Sequence, residues 1–211
     1  MIPARPFYLL RHGESEANVL NVAAGGGVDS KLTQAGEHQA DKLAPFMTTL
    51  EIKPSRIFHS PQIRAKETAR RVNREMNLSM TEIPTLHEHS LGEWEGKSWE
   101  IIKPLVYANQ TAPGGESRSD FAARIKKVMD VILAEDYGAP PLIVAHGGTF
   151  HAIGKLYDWP FGVMHNCHLH YFSPDESHAP FPWQLWQFDV TGSGLKKTRS
   201  EFCPQSRLQK S

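Results

Sequence analysis

Short apolar runs that stop abruptly at polar residues are the most regular pattern in this chain. Residues 7–10 are apolar up to Arg11-His12-Gly13, and residues 142–145 are apolar up to His146-Gly147-Gly148. A continuous apolar run of this length followed by polar residues is typical of a strand buried on both faces. The same reasoning predicts three further strands, at residues 56–59, 167–172 and 183–188.

Helical signals separate the predicted strands. Residues 119–134 repeat apolar side chains at helical spacing, as in an amphipathic helix that packs one face on a core. Thr33 is a suitable N-cap for a helix that Pro45 would end or kink. Ser60 and Pro61 form an N-cap followed by proline at the first helical position. Helices are therefore predicted over residues 33–50, about 61–76, 119–134 and about 147–156.

The alternation of strands and helices predicts an α/β fold, a three-layer sandwich with a mostly parallel central sheet flanked by helices. In such sheets ligands bind beyond the carboxyl ends of the strands. Two predicted strands end in a histidine followed by glycine, so we expect His12 and His146 at that edge. With 40% hydrophobic residues and no linker, we expect one domain over residues 1–211. Its polar end, residues 190–211, is predicted to be mobile or to lie on the surface.

Charge and cysteine content narrow the classes of protein. The 211 residues include 23 Lys+Arg and 23 Asp+Glu, so the formal net charge is zero. This balance lacks the basic excess of a general nucleic-acid binder. No apolar run approaches the ~20 residues that cross a bilayer, and the N-terminus does not resemble a signal peptide. Because Cys167 and Cys203 cannot make a disulfide framework, we expect a cytoplasmic protein. The charge balance and the lack of a membrane-crossing run predict no nucleic-acid partner and no membrane partner.

The residues around the two histidines suit phosphate chemistry. A guanidinium such as Arg11 can bind an anion with two hydrogen bonds. An imidazole with one nitrogen bonded to a backbone carbonyl leaves the other nitrogen free to attack phosphorus. Arg64, one turn into the helix after residue 60, would point to the same end of the sheet. Taken singly, each of these residues is more often structural or solvated.

Four motifs then occur in a specific order between residues 10 and 148, and together they resemble the histidine phosphatase superfamily, which includes the cofactor-dependent phosphoglycerate mutases. The motifs are Leu10-Arg11-His12-Gly13-Glu14-Ser15 with Asn18, Ser60-Pro61-x-x-Arg64-Ala65-x-x-Thr68-Ala69, Leu86-x-Glu88 followed by Gly92-x-Trp94-Glu95-Gly96, and Ala145-His146-Gly147-Gly148.

The resemblance implies a role for each matching residue. His12 would be the nucleophile that becomes phosphohistidine, and Glu88 would be the general acid and base. Phosphoryl transfer needs positioned cations and donors because charge spreads over the phosphoryl oxygens. Arginine and histidine supply these, so no metal and no cofactor is expected. The implied phosphate-binding side chains are Arg11, Asn18, Arg64 and His146.

Several assignments have alternatives in the sequence. Glu14, Glu93 and Glu95 are other candidates for the acid, but Glu88 stands four residues before Gly92 as in the family pattern. Its neighbours His87 and His89 are interpreted as exposed loop histidines, although they could also tune Glu88 or meet a second anionic group. Further candidates for second-anion contacts are Lys31, Lys97 and Arg118. The segments 21–31 and 96–115, the second with Trp99, Lys103 and Tyr107, are expected to set substrate specificity.

Two clusters are given little weight as ligand sites. The glycines at 25–27 lack the Gly-Lys-Ser/Thr ending of a nucleotide P-loop. His165, Cys167, His168 and His170 lack a converging carboxylate or second cysteine, and strand alternation separates Cys167 from His168 and His170. We interpret this cluster as a histidine-rich edge strand near the rim of the site.

The sequence therefore predicts a metal-independent phosphatase that acts on a small phosphorylated metabolite. The alternatives are a phosphoglycerate mutase-type phosphotransferase and a non-catalytic member that binds a phosphorylated ligand. Only a short stretch separates Glu88 from His146, and a short lid excludes water poorly, which favours hydrolysis of the phosphoenzyme. Trp94-Glu95-Gly96 also resembles the phosphatase branch. The oligomeric state is left open.

Overall fold

A seven-stranded sheet organises the protein, and the computed structural model describes it through residues 1–175, 177, 179–192 and 194–200. The strand order is β3-β2-β4-β1-β5-β6-β7. The strands are β1 (Phe7–Arg11), β2 (Ile57–His59), β3 (Met80–Glu82), β4 (Leu142–Ala145), β5 (Leu169–Pro174), β6 (Trp183–Thr191) and β7 (Gly194–Arg199).

Strands β1 to β4 pair with one another in parallel. Strand β5 pairs with β1 in antiparallel fashion, and β6 and β7 continue the sheet as antiparallel strands. Parallel neighbours need long crossovers, and helices supply these between the first four strands. The last strands follow one another through short connections, which suit antiparallel pairing. The α/β fold is thus confirmed, with a mixed sheet that is parallel in the half that bears the predicted site.

Helices cover both faces of this sheet. They are α1 (Glu16–Val19), α2 (Gln34–Met47), α3 (Ile63–Val72), α4 (Trp99–Tyr107), α5 (Arg118–Ala134) and α6 (Gly147–Leu156), with 3₁₀ turns at Pro84–Leu86 and Gly92–Trp94. Side chains of β1 alternate between the two layers. Phe7 and Leu9 pack with α5 and α6, while Tyr8 and Leu10 pack with α2 and α3. This alternation gives the predicted three-layer arrangement.

Local signals explain where two helices begin. Thr33 caps α2 as predicted, because its side-chain oxygen accepts a hydrogen bond from Gly36 N at 3.0 Å. The cap predicted at Ser60 is wrong, since α3 begins at Ile63 and Gln62 occupies the N-cap position. The Ser60 hydroxyl contacts His146 instead, at 2.7 Å. Ser60 is thus a residue type that suits a helix cap, but its side chain bonds to His146 and does not cap α3.

The structure corrects two predictions near the C-terminus. Residues 194–199 are not a tail, because they form β7 and pair with β6 from Thr191↔Gly194 to Trp186↔Arg199. The rest of the predicted tail, residues 201–211 with Cys203, lies outside the described residues. Strand β5 is not an edge strand, since it lies between β1 and β6. Within the described part of the chain, no helix is long and apolar enough to cross a membrane.

Candidate active site

The carboxyl ends of β1 and β4 bring the two motif histidines together. The strands are parallel neighbours with Arg11 opposite Ala145, so His12 and His146 leave the sheet at the same point. Their ring centroids lie 5.2 Å apart, and His12 N donates to Ala145 O at 3.0 Å. Both rings are buried. The expectation that they meet at the strand ends is confirmed.

The surroundings of His12 make its imidazole neutral and fix its tautomer. Nδ1 lies 2.7 Å from Gly13 O, and a carbonyl oxygen can only accept, so Nδ1 carries the proton. Burial lowers the pKa of His12 well below its ordinary value, and the charges of Arg11 and Arg64 lower this pKa further. Nε2 therefore has a free lone pair, with no partner among the residues that the structure describes. Gly13 itself passes close to α2, where an added Cβ would lie 2.5 Å from Gly36 O.

The guanidinium groups of Arg11 and Arg64 both interact electrostatically with His12. Arg64 is 2% exposed and donates to Gly25 O and Val28 O, each at 3.1 Å. Arg11 donates to Met164 O through Nη1, and its Nε is buried without a partner in the described residues. Burial lowers the pKa of both groups, and the Glu88 carboxylate opposes this shift. Arginine stays protonated in proteins, so the two side chains place positive charge near the His12 ring.

His146 provides a hydrogen-bond donor rather than a charge. Burial lowers its pKa well below the ordinary value, and the charge of Arg64 is the next cause. Gln62 N donates to Ser60 Oγ at 3.3 Å, and His146 Nε2 lies 2.7 Å from the same oxygen. The serine hydroxyl can therefore donate to Nε2, in the tautomer that carries the imidazole proton on Nδ1. Nδ1 is buried without a partner in the described residues, as expected of a donor that meets an anion.

Glu88 lies against the first turn of α6. Its Oε2 accepts from Gly148 N at 3.0 Å, and its Oε1 accepts from His89 N at 2.8 Å. Gln62 Oε1 accepts from Glu88 N at 2.9 Å and anchors the backbone. The α6 N-terminus and these amide groups orient the carboxylate towards the cavity that also contains His12.

The other three glutamates considered from the sequence do not line that cavity. Glu14 accepts from Thr33 Oγ1 at 2.7 Å. Glu95 is bonded to backbone amides of the glycine loop, defined here as residues 25–27. Glu93 is exposed. Over the described residues, Glu88 is the one acidic side chain in the lining.

Asn18 uses its amide oxygen in structural hydrogen bonds and also lines the cavity. Its Oδ1 accepts from Ser15 N and from Asn166 Nδ2, each at 3.1 Å. Because its oxygen is used in this way, its amide nitrogen is the atom available to an anion. Asn166, which also donates to His12 O at 3.0 Å, was not identified from the sequence. No motif marks it, since its contacts are made across the fold.

The cavity has a volume of about 430 Å³. Of the predicted specificity residues, Asn21, Trp99, Lys103 and Tyr107 line it, and of the second-anion candidates Arg118 and His89 do so. Lys31 and Lys97 do not. His151 and Lys155, which were missed, line it from α6. The available signal was that His151 follows Gly147 by four residues and Lys155 follows His151 by four, because positions four apart share a helix face.

His89, His168 and His170 lie in surroundings that differ from those predicted from the sequence. His89 is not an exposed loop residue, because it is buried, stacks on Phe121 at 4.9 Å and lies 2.8 Å from Glu116 O. His168 pairs with Asp189 at 3.0 Å. His170 is fully buried, and burial lowers its pKa to about 3. In the described ranges no group of three or more His, Cys, Asp or Glu residues is arranged to hold a metal ion.

The structure defines an α/β protein with a neutral histidine and two arginines in the lining of one cavity. The model of the histidine phosphatase superfamily (branch 1) matches residues 7–176. The chain belongs to this superfamily, and it is accordingly an enzyme of the phosphoric monoester hydrolase class.

Several relatives show how varied the superfamily is. The chain is 35% identical over 156 residues to a putative phosphoserine phosphatase 2 of Hydrogenobacter thermophilus, covering 69% of this chain and 75% of that protein. It is 28% identical over 204 residues to a probable phosphoglycerate mutase of Serratia proteamaculans, covering 88% and 91%. A mycobacterial glucosyl-3-phosphoglycerate phosphatase solved with VO3 has a TM-score of 0.70 and 29% identity, covering 86% and 97%. The names of these relatives differ in substrate.

Proposed function

We propose that this protein is a metal-independent phosphatase that hydrolyses small phosphomonoesters through a phosphohistidine on His12, with Glu88 as general acid and base. The neutral imidazole of His12 carries this proposal. Its Nδ1 proton is bonded to Gly13 O, and its Nε2 lone pair shares a cavity with two arginines and one carboxylate. A nucleophile, fixed cations and a proton donor are what phosphoryl transfer requires.

The reaction proceeds in two steps, phosphoryl transfer to His12 and hydrolysis of the phosphohistidine. In the first, His12 Nε2 forms a bond to phosphorus while the ester P–O bond breaks, and Glu88 gives its proton to the leaving oxygen. In the second, the Glu88 carboxylate takes a proton from water, the water oxygen bonds to phosphorus, and the N–P bond breaks. Arg11, Arg64, Asn18 and the Nδ1 proton of His146 stabilise the phosphoryl oxygens throughout.

Hydrolysis of p-nitrophenyl phosphate in EDTA tests the proposal. We expect turnover by the wild type, at least about a thousandfold less by His12→Ala, and wild-type turnover by His38→Ala, which changes an exposed histidine of α2. Rapid quenching should recover an acid-labile phosphoenzyme that His12→Ala does not form. Loss of turnover in EDTA, or full turnover by His12→Ala, contradicts the proposal. Faster transfer from a bisphosphate to 3-phosphoglycerate than to water would identify a mutase instead.

A further inference from the structure

The glycine loop, residues 25–27, is bonded on two sides by different parts of the site. Gly26 N donates to Glu95 Oε1 at 3.0 Å, and Gly27 N donates to both oxygens of the same carboxylate at 3.1 and 3.0 Å. On its other side Gly25 O accepts from Arg64 Nη2 at 3.1 Å. The loop therefore connects the Glu95 carboxylate, which lies outside the cavity, with the Arg64 guanidinium, which lines it.

Arg64 depends on this segment for its orientation. Its guanidinium group donates to Gly25 O and Val28 O, and within the described residues no carboxylate lies close enough to form an ion pair with it. A guanidinium is a planar fork with five donors, so the carbonyls that bind two of them fix the direction of the other three. Movement of the loop would tilt the fork away from a phosphoryl group.

Glu95 joins the glycine loop to the segment that follows Glu88. Besides the two loop amides, its Oε1 accepts from Leu91 N at 3.0 Å. Gln62 makes a second link, since its Nε2 donates to Gly25 O at 3.1 Å and its Oε1 accepts from Glu88 N. Only glycine suits Gly25 beside this carboxylate, because its φ is +53° and an added Cβ would lie 2.8 Å from Glu95 Cδ.

We propose that Glu95 is a positioning residue that acts through the glycine loop to orient Arg64 towards the phosphoryl group. Glu95 does not line the cavity, so it acts on substrate indirectly, through the loop that binds Arg64. The inference rests on the proposed function, because Arg64 matters only if the cavity binds a phosphoryl group. It also gives a physical reason for three successive glycines opposite the Gly92-x-Trp94-Glu95-Gly96 segment.

A double-mutant cycle tests this coupling. The dissociation constant of orthovanadate, measured by calorimetry, reports phosphoryl binding without turnover. We expect Glu95→Ala to raise it about tenfold, since several hydrogen bonds to a charged group are lost, and Glu95→Gln, which keeps one acceptor oxygen, to raise it less. In an Arg64→Ala background, Glu95→Ala should change it less than about twofold. Glu93→Ala, an exposed neighbour, is the matched control and should match the wild type.

The cycle distinguishes a positioning role of Glu95 from a purely structural role. Equal effects of Glu95→Ala with and without Arg64 would mean a purely structural role and would overturn the inference, as would no effect of Glu95→Ala. Thermal unfolding of every variant is measured alongside, and a Glu95→Gln protein of wild-type stability with weakened binding supports positioning. If Arg64→Ala itself binds orthovanadate like the wild type, the inference fails because Arg64 does not bind the phosphoryl group, whereas a wild type that does not bind orthovanadate would contradict the proposed function.

Discussion

Gly148 is a position where a single methyl group tests the role of Glu88. An added Cβ at Gly148 would lie 2.8 Å from Glu88 Cδ and 3.0 Å from Phe121 Cε1. Carbon atoms in contact are normally about 3.5–4.0 Å apart, so the carboxyl group must move by roughly 1 Å. A displacement of that size near the reacting atoms costs on the order of 100-fold in rate. We therefore expect Gly148→Ala to lower kcat for p-nitrophenyl phosphate roughly 100-fold.

Gly147 supplies the matched control for this substitution. Both glycines lie in the first turn of α6, where alanine is favoured over glycine by about 1 kcal/mol, so neither variant should fail to fold. The nearest atom to a Cβ added at Gly147 is Arg11 Nε at 3.5 Å, an ordinary contact. We expect Gly147→Ala to keep kcat within about threefold, and both variants to bind orthovanadate like the wild type.

Three results would contradict the role assigned here to Glu88. Wild-type kcat in Gly148→Ala would show that the carboxylate of Glu88 is not required where the structure places it. Equal losses in both variants would show that stiffening the start of α6, rather than displacing Glu88, lowers the rate. A loss confined to orthovanadate affinity would instead assign Gly148 to phosphoryl binding.

Three further predictions follow from other contacts. Ser60→Ala removes the bond to His146 Nε2 and should lower kcat/KM about tenfold, whereas Ser55→Ala, remote from the cavity, should not. His170 has a pKa of about 3 against 6.5 unfolded, so its contribution to stability is largely present at pH 7 and falls by about 2 kcal/mol between pH 7 and 5; urea unfolding of His170→Leu should show a pH dependence smaller by that amount, while the share of the buried His12 and His146 remains. Arg118→Gln should lower kcat/KM roughly tenfold for 3-phosphoglycerate but not for p-nitrophenyl phosphate.

Much of the layout can be predicted from local patterns. The runs at 7–10 and 142–145 match β1 and β4 because a strand buried on both faces must be apolar throughout. The helix over 119–134 is observed as Arg118–Ala134, since its apolar face covers the sheet. Parallel strands then bring His12 and His146 to one edge. These inferences need only the periodicity of a single segment and a general rule of sheet topology.

Other elements have too weak a local signal. Strand β3 spans three residues, two of them exposed, and β7 is a polar edge strand. Helix α4 contains Pro104, which argues against a helix when the sequence alone is considered. These elements form because neighbours in the fold pair with them or pack on them, and that stabilisation is invisible in a local window.

Local patterns in the chain predict the fold class, the positions of the main strands and helices, and a set of motifs that implies His12, Arg11, Arg64, His146, Glu88 and Asn18. Packing is needed to show which glutamate faces the cavity and that Glu95 bonds to the glycine loop instead. It also decided that both histidines are neutral, because their burial and the charges around them come from segments far apart in the chain. Residue type and order are local properties, whereas protonation and orientation depend on distances that packing alone sets.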